Sequence, residues 1–281
     1  MMEAQKIDIN GIKELPSLPI IVQKLQMLVT DSDASSQEVA KIAEADPPFV
    51  IRLLRVVNSP FYGFRRKIAS VEEAITMLGF NAVHQLVLTT SLMTTIGTDQ
   101  KAVNIGDFWR HSFAVGVIAK HLLPRADRNT RSEVLICGIL HDIGRIVMAR
   151  NESEAFMAFY GQQRSISDME EEARVFGYDH QQLGEIVALK WNLPKSVIAT
   201  IANHHTPQNA PEKLRYLVSA VNIGDMLCHA LQIGDSGNFY IAEFSTDAWQ
   251  TLNLNMEELE VALRRALKEI DQAKDMFMDF G

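Results

Sequence analysis

The chain has 281 residues, 47% of them hydrophobic and 22% charged, and a formal net charge of −8. That is enough apolar material for a packed core without staples, and the negative balance argues against a general grip on nucleic acid, which needs clustered Lys and Arg to neutralise phosphates. The two cysteines, Cys137 and Cys228, lie in apolar stretches without Cys-x-x-Cys spacing and read as buried thiols of a cytoplasmic protein. No run approaches the roughly 18 apolar residues of a membrane span, and residues 1–6 lack the apolar core of a signal peptide, so neither membrane anchoring nor export is expected.

The first hundred residues read as short helices. Ser35 or Ser36 precedes the apolar set Val39, Ala40, Ile42 and Ala43, and Asp46 stands before Pro47 and Pro48 as a capping acceptor before a proline-tolerant first turn. Ser70-Val71-Glu72-Glu73 is a capping box whose helix closes at Gly79, and residues 81–96 continue as another helix. The helices at 36–45 and 47–57 have the layout of a helix-turn-helix, but the second offers only Arg52 and Arg55 to DNA. Two basic loops, Arg65-Arg66-Lys67 after Phe61, Tyr62 and Phe64, and the stretch with Arg125, Arg128 and Arg131, read first as solvated connectors and second as partner surfaces.

No period-2 alternation appears, so the second half is helical too, with segments over 108–123, 132–150, 153–163, 180–191, 195–205, 213–233 and 256–275. The last has Asn255 as N-cap with Glu258 three residues on, and an apolar stripe of Leu259, Leu263, Leu267 and Ile270. Its apolar end, residues 276–280, is expected to dock against the body, with a partner site as the alternative. The turn cluster 234–238 marks the end of the core.

His141-Asp142 sits inside the apolar run 134–148, where a charge is costly unless compensated. Other ligand-type residues are phased toward the same interior. His111 follows Phe108 by three and precedes Val115 by four. His180 begins a helix capped by Asp179 with Gln182 in the box position, His204 and His205 end one, and Asp225 is four after Val221. A single such histidine is ordinarily a hydrogen-bonded core residue. Here five helices each supply a ligand-type residue, and one divalent cation would satisfy Asp142, Asp225 and the imidazoles together; a metal-free polar network is the alternative.

In this order, His111, His141-Asp142, His204-His205 and Asp225 resemble the HD superfamily of metal-dependent phosphohydrolases, and more closely the HD-related output domain family, HDOD. The resemblance also rests on Leu15-Pro16-Ser17-Leu18-Pro19, residues 53–59, residues 74–79, Trp109-Arg110-His111-Ser112, residues 138–144, Trp191-Asn192-Leu193-Pro194 and His204-His205-Thr206-Pro207. It implies an all-α fold: an N-terminal helical subdomain over residues 1–100, an HD-like core over 101–235, and a C-terminal extension over 236–281. It further implies that His111, His141, Asp142 and Asp225 form a basic metal site, that His180, His204 and His205 bind further metal, and that Asp107 falls at an acidic-ligand position unless it only starts the helix. Two positions depart from the pattern: Arg145 stands where relatives usually have Lys, and Thr206-Pro207-Gln208-Asn209 replaces a Gly-Tyr-Pro motif, so cyclic di-GMP hydrolysis does not follow.

Two functions are therefore expected. The first is a bacterial signal-transduction output module acting through protein partners, with a nucleotide or phosphate as a further ligand. The second is a phosphohydrolase in which Asp142 helps hold the metal, His204 or His205 relays a proton and Arg145 clamps phosphate. His and carboxylate ligation suits Fe, Mn, Zn or Ni. No fused receiver, kinase or cyclase segment is expected, so input is expected from a separate protein or ligand, with the N-terminal helices, the 61–67 loop or the C-terminal tail as interface.

Overall fold

The computed structural model describes residues 47–58, 62–64, 66–79, 103–160, 168–237 and 244–273, together with residues 23, 24, 83 and 86. Among these there is no strand, and the fold is all-α. Twelve helices serve as landmarks: α1 (Pro47–Val57), α2 (Val71–Leu78), α3 (Ile105–His121), α4 (Arg128–Leu140), α5 (Ile143–Asn151), α6 (Ser153–Tyr160), α7 (Asp168–Phe176), α8 (His180–Lys190), α9 (Lys195–Asn203), α10 (Arg215–Ala230), α11 (Thr246–Leu252) and α12 (Met256–Ala273). The expected helices at 36–45 and 81–96, the cap candidates Ser35 and Ser36 of the first, the cap Asp46 expected before α1, and the tail at 276–280 lie outside the described residues, apart from Val83 and Leu86.

Among the described residues the buried apolar side chains form two clusters. The smaller joins Leu53 and Val57 of α1, Ile68, and Val71, Ala74 and Ile75 of α2 to Val83 and Leu86. Asn58 closes the loop between those helices: its amide donates to Leu54 O and Ile68 O, both at 2.8 Å, and its oxygen accepts from Ile68 N at 2.7 Å. Tyr62 and Phe64 stack within that loop, and Arg66 pairs with Glu73 at 2.8 Å. Ser70 caps α2 as its sequence indicates, accepting from Glu73 N at 3.1 Å, while Glu73 reaches back to Ala69 N.

The larger cluster runs from Val103 to Ala273. Its centre is α3, packed against α4, α10 and α12, with α8 bridging α5 and α9. The crossing of α3 and α4 depends on Gly138, where a Cβ would overlap the backbone of Gly116. Local signals explain the entries: Asn104 caps α3 and Asp127 caps α4, each accepting a backbone N–H three residues on, and α8 has the full Asp179/Gln182 capping box.

Three expectations are corrected. Residues 132–150 are not one helix, because the chain breaks between α4 and α5 at the His-Asp pair. The helices α7 and α11 were not expected. In α12 the buried line is Ala262, Ala266, Ile270 and Ala273, whereas Leu267 is 37% exposed: small side chains let α12 approach α3 closely, and Leu267 turns outward. Glu269 then ties α12 to the end of α3, accepting from Lys120 at 2.6 Å and lying 2.8 Å from His121 Nε2.

Candidate metal centre

The interruption between α4 and α5 is what presents the pair. His141 continues the helical conformation of α4 as its C-cap, and its Nδ1 lies 2.7 Å from Gly138 O, so Nε2 points away from the backbone. Asp142 occupies the N-cap position of α5 but makes no side-chain cap, which leaves its carboxylate for the interior. His111 comes from the second turn of α3, His180 from the first position of α8, His204 and His205 from the end of α9, and Asp225 from the middle of α10.

These residues converge. His180 Nε2 lies 3.3 Å from His204 Nε2 and 3.1 Å from His205 Nε2. Asp142 Oδ1 lies 3.4 Å from His204 Nε2 and 3.5 Å from His180 Nε2. His141 Nε2 stands 3.4 Å from Asp142 Oδ2 and 3.5 Å from Asp225 Oδ1, which is in turn 3.0 Å from His111 Nε2. His111, His141, Asp142, His180, His204 and Asp225 are all buried, and His205 is partly exposed.

The geometry fits a divalent cation. Two donors each about 2.1 Å from an ion, at angles between tetrahedral and octahedral, stand about 3.0–3.4 Å apart, close to the 3.1–3.5 Å separations among Asp142, His180, His204 and His205. His141 Nε2 and Asp142 Oδ1 are buried and make no hydrogen bond of ordinary geometry, an arrangement that costs free energy unless a further group satisfies them.

The electrostatics agree. Burial lowers the pKa of His111 and His204 despite the neighbouring carboxylates, favouring the neutral imidazole that ligates. Burial also opposes a charge on His141, but Asp142 and Asp225 overcome it and raise that pKa to about 10. The carboxyls of Asp142 and Asp225 resist protonation: burial pushes both up, and His141 and Arg145 around the first, and His229, His111 and His141 around the second, hold them well below the usual range. The centre thus calls for positive charge, from protons or from a cation.

A second layer holds the imidazoles. His180 Nδ1 and its backbone N each lie 2.7 Å from Glu172 Oε2 on α7, and burial of that carboxyl is outweighed by His180 and Arg145, which lower its pKa to about 2. Tyr160 donates to Glu172, and Arg145 donates to Tyr160 at 2.8 Å. The Arg145 guanidinium, 1% exposed, also stands 3.2 Å from Asp142 Oδ1 and 3.3 Å from Glu172 Oε1. It is therefore enclosed between two carboxylates and a phenol, whereas the phosphate clamp expected of it needs an accessible face.

Asp107 takes the plainer of its two expected roles. Asn104 donates to its carboxylate at 2.8 Å and caps its backbone N–H, so it belongs to the capped first turn of α3. Two residues were missed. Glu172 lies in an acidic run that reads as a solvated face, although Met169, Glu172 and Phe176 share one stripe of α7. His229 lies one turn after Asp225, its Nε2 3.3 Å from Asp225 Oδ1, and the i,i+4 spacing was the available signal.

A helical body that gathers a His-Asp pair, four further histidines and a second aspartate into one buried centre is an HD-like domain. The chain belongs to the HDOD domain family, whose model matches residues 15–207. An HDOD domain protein of unknown function from Geobacter sulfurreducens shares 25% identity and superposes with a TM-score of 0.77 over 96% of this chain and 95% of its own. A "Putative phosphohydrolase" from Shewanella amazonensis SB2B has the same fold at 20% identity and a TM-score of 0.75, over 97% of each chain. A "Putative signal transduction protein" from Marinobacter aquaeolei VT8 matches at 20% identity and a TM-score of 0.72, over 98% of this chain and 62% of that one. An uncharacterized protein of Treponema pallidum (strain Nichols) is 26% identical over 77% of this chain; the chain spans 42% of that curated relative's length.

Among the described residues no helix is long and apolar enough to cross a membrane.

Proposed function

We propose that this chain is a regulatory output module of a bacterial signalling pathway, acting in the cytoplasm through protein partners, with a divalent cation held in its buried centre. The observation that carries the reading is the enclosure of Arg145. The side chain best suited to gripping a phosphate is committed to Asp142, Glu172 and Tyr160, so the centre is built for holding a cation and fixing helices rather than for gripping a substrate. Asp142, His180, His204 and His205 would hold the cation at one end, with His111, His141 and Asp225 completing the centre.

The second reading is a metal-dependent phosphohydrolase acting on a nucleotide phosphate or phosphodiester. It is favoured by the partial exposure of His205, which places one imidazole where a substrate can reach it. A bound divalent cation supplies a water of lowered pKa and polarises a phosphoryl oxygen. In this reading Asp142, His180 and His204 would hold the cation and leave His205 to move the proton, since His204 is buried with Nδ1 3.1 Å from Ile201 O. Neighbours whose names point to signalling and to hydrolysis share this fold, so architecture alone does not choose.

The test is metal analysis of protein purified without chelator, followed by a panel of nucleotides and phosphodiesters assayed with wild type, His141→Ala and Asp142→Ala. Bound metal with no turnover that depends on the pair supports the regulatory module. Turnover lost in both variants establishes the hydrolase, and metal-free native protein overturns the metal centre on which both readings stand.

A further inference from the structure

A cavity of about 240 Å³ opens where the end of α3 and the loop after it meet the start of α4 and the first half of α12. It lies away from the metal centre: His121, on its wall, follows His111 by roughly 15 Å along the axis of α3, at 1.5 Å per residue. The volume falls just below the ~300–1,000 Å³ of small-molecule sites, so an occupant must be small. Three cations line the cavity, Lys120, Arg131 and Arg265. The acids on its wall are Glu257 and Glu258, and Glu258 is already taken by Arg125. Glu269 accepts from Lys120 and lies beside His121, but among the described residues neither Arg131 nor Arg265 forms an ion pair. Of the arginines that read as a solvated connector, Arg125 is 67% exposed, whereas Arg131 turns to the cavity. Arg131 donates to Pro124 O, yet its Nε is buried without a hydrogen bond, and it stands near the start of α4, where the helix dipole disfavours a cation. Burial lowers the pKa of Lys120; Glu269 opposes the fall, and the charge of Arg131 adds to it. The remaining lining, Pro124, Val261 and Ala262, is apolar.

We propose that this cavity binds a small phosphate monoester, with Arg131 and Arg265 holding the phosphate, Lys120 adding charge, and the organic group resting on Pro124, Val261 and Ala262. A dianion answers both unpaired guanidinium groups at once, where a single carboxylate would leave one of them without a counter-charge. Guanidinium groups also match phosphate oxygens in geometry, since each offers parallel N–H donors. The apolar lining favours an ester over the free ion, because the ester carries a group that gains by leaving water. The site goes beyond the metal centre and stands whether or not that centre holds an ion.

The test is isothermal titration with phenyl phosphate and with inorganic phosphate, on the protein as purified and after chelation, for wild type, Arg131→Gln, Arg265→Ala and Arg264→Ala. Arg264 is the charge control: it neighbours Arg265 on α12 but is 78% exposed and paired with Glu260. Arg265 is itself exposed, so its variant keeps the fold even where Arg131→Gln does not, and circular dichroism checks both. The expected result is saturable binding of one phenyl phosphate per chain, tighter than inorganic phosphate and unchanged by chelation. Arg265→Ala and Arg131→Gln should each weaken it by about tenfold or more, the loss of a charge-assisted hydrogen bond, and Arg264→Ala by less than about twofold. Equal weakening by Arg264→Ala and Arg265→Ala would reduce the binding to general charge and overturn the site, as would the lack of saturable binding by either probe. Equal affinity for the two probes would overturn the ester assignment. Binding that vanishes on chelation and ignores Arg265→Ala would place the phosphate at the metal centre, overturning this site while supporting that one.

Discussion

Gly144 and His180 meet backbone to backbone: a Cβ on Gly144 would overlap the carbonyl oxygen of His180 and stand 3.0 Å from Gly184 N. This contact sets the distance between α5, which follows Asp142, and α8, which starts at His180. Gly144→Ala should therefore push α8 outward, costing about 1–3 kcal/mol in urea denaturation, as overpacked sites do, and lowering bound metal per chain. Retained metal content together with unchanged stability would show that the helices do not depend on this approach.

Arg145 is the second point where the centre and the core are joined. Replacing it by Met leaves Asp142 and Glu172 as buried carboxylates without their guanidinium, and should cost about 3–5 kcal/mol. Arg145→Lys keeps the charge but not the planar fork and should fall between. Were Arg145 a solvent-facing phosphate ligand, the Met variant would unfold within about 0.5 kcal/mol of wild type, and urea titration distinguishes the two.

Removing metal should destabilise the fold. A ligand at a hundred times its dissociation constant stabilises the native state by about 2.7 kcal/mol, so dialysis against chelator should lower the thermal midpoint by several degrees and re-addition should restore it. Differential scanning calorimetry with and without chelator makes the comparison. In the Asp142→Ala variant the shift should shrink, because the carboxylate nearest three of the imidazoles is gone.

The thiols offer a probe of the core around the centre. Burial pushes the Cys137 thiol up to about 12 and raises Cys228 well above its ordinary value. Neither should react with a thiol-labelling reagent in the native protein at pH 8, and two should react per chain in guanidinium. Stoichiometric labelling of a native thiol under those conditions would contradict the packing of α4 or α10.

Helical phasing made much of this legible beforehand. The apolar positions beside His111 and Asp225 identify inward stripes, and the capping residues Asp179 and Asn255 locate helix starts that the structure reproduces. What escaped shows where period and composition stop informing. The run 134–148 is apolar on every side, so nothing in its pattern marks the interruption between α4 and α5. Glu172 is acidic among acidic neighbours, and only its partners His180 and Arg145, distant along the chain or on another helix, reveal it as buried. Asp142 is one turn before Arg145 and visible beside it, but Glu172, the second carboxylate at its guanidinium, lies on α7 and carries no local signal.

The buried carboxylates tie the packing of the centre to its charge. Asp142, Asp225 and Glu172 bring three negative charges into the interior, and Arg145 returns one positive charge, so the remainder must be supplied by protons or by whatever the centre holds. Loading and packing are then a single thermodynamic variable. Emptied, the centre must take up protons to stay packed; filled, the cation takes their place. A change in what the centre holds is then felt by every helix that supplies it, α3, α4, α5, α8, α9 and α10.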